Sequence, residues 1–119
     1  MVNDVIDRLK GGSIKSVVLF ADGMEVPPPP CVVVRTESGV VRGTRSIRIV
    51  VRHAQGNFDA LNEYVTRELD GLLAGGFDGR GGGRYKLYPN GFTDVTPDPD
   101  GGCVFMERIY LAPVLGLAN

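Results

Sequence analysis

Residues 46–73 read SIRIVVRHAQGNFDALNEYVTRELDGLL, and the two halves of that stretch have different periods. In the first half Ile47, Ile49 and Val51 share one face, while Arg48 and Arg52 share the other with Val50. Alternation of β-branched residues at period two predicts a half-buried strand. A short link, Ala54-Gln55-Gly56, leads to Asn57, a suitable helix N-cap, with Asp59 in the first turn where the helix dipole favours a carboxylate. From there Phe58, Leu61, Val65, Leu69, Leu72 and Leu73 recur at helical spacing and predict an apolar stripe. Asp59, Glu63, Arg67 and Asp70 are expected on the opposite side, with Glu63 and Arg67 spaced for an ion pair. A strand feeding an amphipathic helix of this kind predicts a helix laid over a sheet.

Composition sets the bounds around that unit. A chain of 119 residues, 43 % hydrophobic and 23 % charged, suits one domain spanning 1–119 with its own core. The net charge of −1 removes any bulk attraction to nucleic acid or anionic membrane. Seventeen glycines and eight prolines point to long loops, expected to be flexible near 22–30, 74–83 and 96–102. The first ten residues carry Asp4 and Asp7 and lack the basic start and apolar core of a secretory leader. No run of eighteen apolar residues suggests a membrane span. Cys31 and Cys103 both fall in strand-like runs and read as buried thiols of a reducing compartment. Whether they face each other across a sheet is open at this level.

Taken in order, Asn3 to Lys10 reads as a short amphipathic helix with Val5, Ile6 and Leu9 inward, stopped in αL fashion by Gly11-Gly12. Ile14 to Ala21 is β-prone and closed by Asp22-Gly23. Four prolines, 27–30, cannot donate to a ladder and make a rigid connector. Cys31 to Thr36 is a continuous β-branched strand that pairs with the Ser46 strand as a hairpin. After the helix come a glycine-rich loop to Gly83, a strand from Arg84 to Tyr88, a turn at Pro89-Asn90-Gly91 and a loop over 95–102. A last strand, Cys103 to Leu111, places Phe105, Ile109 and Leu111 on one face. The order α-β-β-β-α-β-β implies an α+β two-layer sandwich: a mainly antiparallel sheet with helices on one face.

No catalytic or metal signature stands out. The 79–83 glycine loop follows a helix and enters a strand, the reverse of a phosphate-binding loop, so its reading is reach, carrying Arg80 and Arg84 toward a partner. Asp94, Asp98 and Asp100 do not meet the spacing of a calcium loop. His53 is the only histidine, which excludes a histidine metal cluster. The arginines say more. Arg35, Arg42, Arg45, Arg48 and Arg52 stand against Glu37 alone, whereas the helix holds Asp59, Glu63, Glu68 and Asp70 against Arg67. This separation is either two solvated faces or a pair of complementary surfaces on neighbouring copies, the second giving a heterologous contact that closes into a ring. Tyr64, between the small residues Ala60 and Gly71, is placed to pack against a partner.

Several segments together resemble a known family: CVVVR at 31–35 after a proline connector, the arginine-rich strand 45–52, the helix FDAL (58–61) to LDGLL (69–73), and VFMER at 104–108. Their order is similar to that of the small tail-terminator, tail-completion and head–tail joining proteins of tailed bacteriophages and prophages. The proline run and the glycine-rich 75–83 loop have no counterpart in that pattern. The resemblance implies a non-enzymatic structural protein without cofactors. It implies a homo-oligomeric ring, commonly a hexamer, that caps the tail tube and meets tail-tube and head–neck proteins. Its place would be the virion tail and neck, after assembly in the host cytoplasm. An arginine-bearing face would then line a lumen and touch DNA phosphates weakly, without sequence preference. Two alternatives remain: a small dimeric ligand-binding or regulatory α+β domain, and an enzyme using Asp78, Asp94, Asp98 or Asp100 in the 75–102 loops.

Overall fold

The computed structural model describes residues 2–36, 43–79, 81, 83–93, 95–98 and 102–113, and for Phe92 the backbone alone. Helix α1 (Val2–Lys10) is followed by strands β1 (Val17–Leu19), β2 (Cys31–Thr36) and β3 (Thr44–Ala54). One continuous helical rod then comprises α2 (Phe58–Glu63), a π-helical segment (Tyr64–Glu68) and α3 (Leu69–Leu73). Five strands complete the chain: β4 (Phe77–Asp78), β5 (Arg84–Tyr85), β6 (Tyr88–Phe92), β7 (Thr96–Asp98) and β8 (Cys103–Pro113). The main sheet has six strands in the order β1-β2-β3-β8-β6, with β7 also on β8, and β4–β5 form a separate two-stranded sheet. All its pairings are antiparallel except β1 with β2. The architecture is the expected α+β sandwich, with both helical elements in one core against one face of the sheet.

Register decides which residues meet the helices. Val32 stands opposite Val51 and Val34 opposite Ile49, while Ile47 pairs Tyr110 and Val51 pairs Met106. These residues are buried with Val5 and Leu9 of α1 and with Leu61, Val65, Leu69 and Leu73 of the rod. The period-two reading of β3 therefore holds. In β8 the core face is Val104, Met106, Tyr110 and Ala112, and Phe105, Ile109 and Leu111 lie on the other side.

The π segment corrects the helix reading. Leu61, Val65, Leu69 and Leu73 are four apart, so a regular helix would turn each by ~40° from the last, ~120° over the run. An extra residue in one turn takes back ~100°, which returns all four to the sheet. The same rotation carries Asp70 away from Asp59 and Glu63 toward β8. Phe58, before the π segment, falls outside the stripe and is 49 % exposed.

Other local expectations change as well. Gly11 and Gly12 do not have positive φ; α1 ends through Gly11 N–H to the Arg8 carbonyl and Gly12 N–H to the Leu9 carbonyl. A Cβ at Gly12 would come within 2.9 Å of Leu72 and Glu68, so glycine there lets α1 close on the rod. Asn57 occupies the N-cap position without a side-chain cap, its amide lying 3.4 Å from His53 Nδ1 instead. Gly56, at φ +94°, makes the turn out of β3 in a conformation that other residues avoid. The predicted turn at Pro89-Asn90-Gly91 lies inside β6, where the pairing with β8 shifts register between Pro89 and Phe92. Thr96–Asp98, expected as loop, adds a short strand to β8.

Candidate functional site

The sheet face turned away from the helices carries the sequence's arginine signal, but only part of it. Arg35, Arg48 and Arg52 share this face, with Val33, Val50 and Phe105 forming an apolar floor between them. Arg45 lies in register with Ala112, on the same side of β3 as Ile47. Arg42 and Glu37 lie outside the described residues. Arg35 and Arg48 are direct cross-strand neighbours, an arrangement that repels. The structure relieves it by sending the two guanidinium groups apart. Arg35 stacks 4.3 Å from the Phe20 ring, and Arg48 donates to Glu107 at 3.4 Å.

Arg52 sits at the other end of the face, donating to Asp98 at 2.9 Å and to the Cys103 thiol at 3.2 Å. The short strand β7 exists at the place where this ion pair forms, so Asp98 is fixed beside Arg52 rather than free in a loop. Cys31, opposite Arg52 on β2, donates through Sγ to the Pro27 carbonyl at 3.5 Å. Burial raises the Cys31 pKa, with Arg52 pulling it the other way, so its thiol stays protonated and is a poor nucleophile. Strand β3 runs between the two cysteines, which answers the question of their pairing. Two strand spacings, ~9.6 Å, exceed the ~7 Å limit for a disulfide.

The exposed side of the rod bears Asp59, Glu63 and Arg67, the last two 3.9 Å apart as their spacing predicts. Phe58 is exposed at its start. Tyr64 is buried, 4 % exposed, and lines a groove with Ser13, Ala60, Glu63, Arg67 and Glu68. Glu68 accepts from both the backbone N–H and the hydroxyl of Ser13, at 2.8 and 2.7 Å, and ties the segment after α1 to the rod.

Asp70 does not join the acidic face. It accepts from Arg108 Nε and Nη2, at 3.2 and 2.8 Å, and from the Tyr110 hydroxyl. Burial, the Asp70 hydrogen bond and its charge push the Tyr110 pKa up, with Arg108 acting against them. Arg84, expected to reach for a partner, bonds Asp78 at 3.0 Å within its own hairpin; Arg80, Asp94 and Asp100 lie outside the described residues.

Sequence reasoning missed Glu107, Asp98 and Phe20 as partners of the three arginines. Their positions follow from strand register, which no local pattern encodes. Among the described residues no group of three or more histidine, cysteine or carboxylate side chains is arranged to hold a metal. No helix among them is long and apolar enough to cross a membrane. Comparison with protein-family models and with curated proteins finds no match to this chain.

Proposed function

We propose that this chain is a ring-forming, non-enzymatic structural subunit of a tailed bacteriophage or prophage, of the tail-terminator or head–tail joining kind. The observation that carries the reading is the contrast between its two outer faces. The outer face of the sheet carries the half-buried Val50 and Phe105 among Arg35, Arg48 and Arg52, and among the described residues no helix packs on that face. The rod presents Phe58 beside Asp59 and Glu63. An apolar-basic surface and an apolar-acidic surface on opposite sides of one subunit suit a head-to-tail contact, which closes into a ring when the rotation allows. The resemblance of the segment order to that of tail-terminator proteins supports the same reading. In such a ring the subunit caps the tail tube and meets head–neck proteins on its axial surfaces.

Glu107 and Asp98 stand among the three arginines. Mixed charge of that kind suits a protein neighbour better than a phosphate backbone, so the arginine face is assigned to subunit contact before DNA contact. The alternative, a small-ligand domain, has one candidate groove on this face, lined by Phe20, Val26, Val33, Val50 and Phe105 among others. Its volume of about 210 Å³ is below the ~300 Å³ at which drug-sized ligand pockets begin, and the roomier groove beside Tyr64, about 430 Å³, is lined by Ser13, Glu63, Arg67 and Glu68 as well as Ala60 and Tyr64, a charged surface in place of the mostly apolar lining of such pockets. Native molar mass by light scattering, over a concentration series at low and high salt, tests the proposal. A closed ring that loosens in salt is the expected result. A dimer indifferent to salt overturns it in favour of the ligand-binding reading.

A further inference from the structure

The groove on the outer face of the sheet has the size and lining to take one side chain. Phe20, Val26, Val50 and Phe105 line it, each only half-buried, so its apolar surface is open from outside. Apolar cavities of ~150 Å³ hold a benzene-sized ring, and this groove, about 210 Å³, admits one phenyl group and little more. Charge is uneven along its rim. Arg48 and Arg52 are engaged by Glu107 and Asp98. Arg35 is exposed, and its guanidinium lies 4.3 Å from the Phe20 ring that forms one wall. A guanidinium stacked on a ring keeps its edge donors for an incoming carboxylate.

The rod carries a side chain that matches. Among the described residues three large apolar side chains are exposed: Leu19, Phe58 and Tyr88. Tyr88 has Lys86 5.7 Å from its ring, the wrong charge to bring against an arginine. Of the three, only Phe58 is followed directly by a carboxylate, Asp59, itself exposed. A single exposed apolar residue means little alone. It means more when the same chain holds, on its other face, an apolar groove of that residue's size beside a cation. We propose that Phe58 of one copy fills the Phe20–Phe105 groove of the next, while Asp59 beside it receives the guanidinium of Arg35. An aromatic anchor in an apolar pocket with a polar rim is the anatomy of an interface hot spot. Anchor and groove lie on opposite sides of the subunit, so the contact is head-to-tail and repeats from copy to copy. The inference rests on the ring reading and specifies its contact.

The test is the self-association of the full chain by light scattering, with F58A, F58L, V50F, R35E, D59R and the double variant R35E/D59R beside wild type. Urea denaturation checks that each variant folds; Phe58 is 49 % exposed and Arg35 and Asp59 are exposed, so their midpoints should stay near that of wild type. F58A should need roughly thirtyfold more protein to reach the same mass, the loss of one hot-spot side chain. F58L, which keeps an apolar side chain, should need less than F58A. V50F puts a phenyl group into the groove from within and should weaken assembly as F58A does. R35E and D59R should each weaken it, and the double variant should recover. If F58A or V50F assembles like wild type, the groove is not the seat of Phe58 and the inference is wrong, while the ring reading stands. A double variant no better than its parents overturns the pairing of Asp59 with Arg35. A wild-type chain that never associates removes the ring reading and this contact with it.

Discussion

Replacement of Asp70 by alanine should destabilise the protein by about 3 kcal/mol. Asp70 lies between α3 and β8 and receives both Nε and Nη2 of Arg108, together with the Tyr110 hydroxyl. Arg108 retains 15 % of its side-chain exposure and Tyr110 none, so removing the carboxylate takes the bonds of Asp70 from a guanidinium and a hydroxyl that water reaches poorly. Breaking a fully buried pair costs ~3–5 kcal/mol, whereas a single neutral hydrogen bond is worth ~1 kcal/mol. Asp70 itself is 29 % exposed, which places the cost at the low end of the first range. For a domain near this size ~3 kcal/mol corresponds to a fall of roughly 10 °C in Tm. Asp70→Asn keeps the shape and one acceptor and should lose about half as much. Urea unfolding followed by circular dichroism, with the m-value unchanged, gives the comparison. A loss below about 1 kcal/mol for D70A would refute the argument that this cluster clamps the rod onto the sheet.

Alkaline conditions should unfold the protein in a defined direction. Tyr64 and Tyr110 have folded-state pKa values raised above the ordinary tyrosine value, so above about pH 10 the unfolded chain binds fewer protons than the folded one. Stability is then complete below that pH and falls as pH rises, by ~1.4 kcal/mol per unit for each tyrosine. Urea midpoints at neutral and alkaline pH check this, and Y64F should flatten the dependence; a midpoint that does not move contradicts it. Mild oxidation of the native protein should leave Cys31 and Cys103 as two thiols, because β3 separates them. Thiol counting after denaturation in a quenching buffer, with mass spectrometry, would expose an internal disulfide if the register were wrong.

Much of the fold was legible because the core elements obey single, local periods. Ile47, Ile49 and Val51 alternate, and one face of that alternation is the face that the helices cover. Leu61, Val65, Leu69 and Leu73 recur every four residues, which identifies a helix and its apolar side. The likeness of Cys31–Thr36 to a central strand is equally local, since a run of valines flanked by other strands buries both faces. The π segment was not legible as such. Apolar residues at a strict four-residue spacing, Leu61, Val65, Leu69 and Leu73, already strain a 3.6-residue helix, and that strain is the sign the sequence gives of it.

The candidate site divides in the same way. That arginines collect before the helix and acids within it is a property of order along the chain, and the sequence alone establishes it. Which arginines share a face depends on strand register, which places Arg35 opposite Arg48 and Arg48 opposite Ile109. Which of them stay exposed depends on partners far along the chain: Glu107 for Arg48, Asp98 for Arg52, Phe20 for Arg35. Asp70 changed sides because one extra residue in a turn rotates everything after it. Sequence determined the elements and their apolar faces, because burial acts on each residue through its nearest periodic neighbours. Tertiary structure decided the charges, because an ion pair is a matter of distance in space, and sequence order does not set that distance.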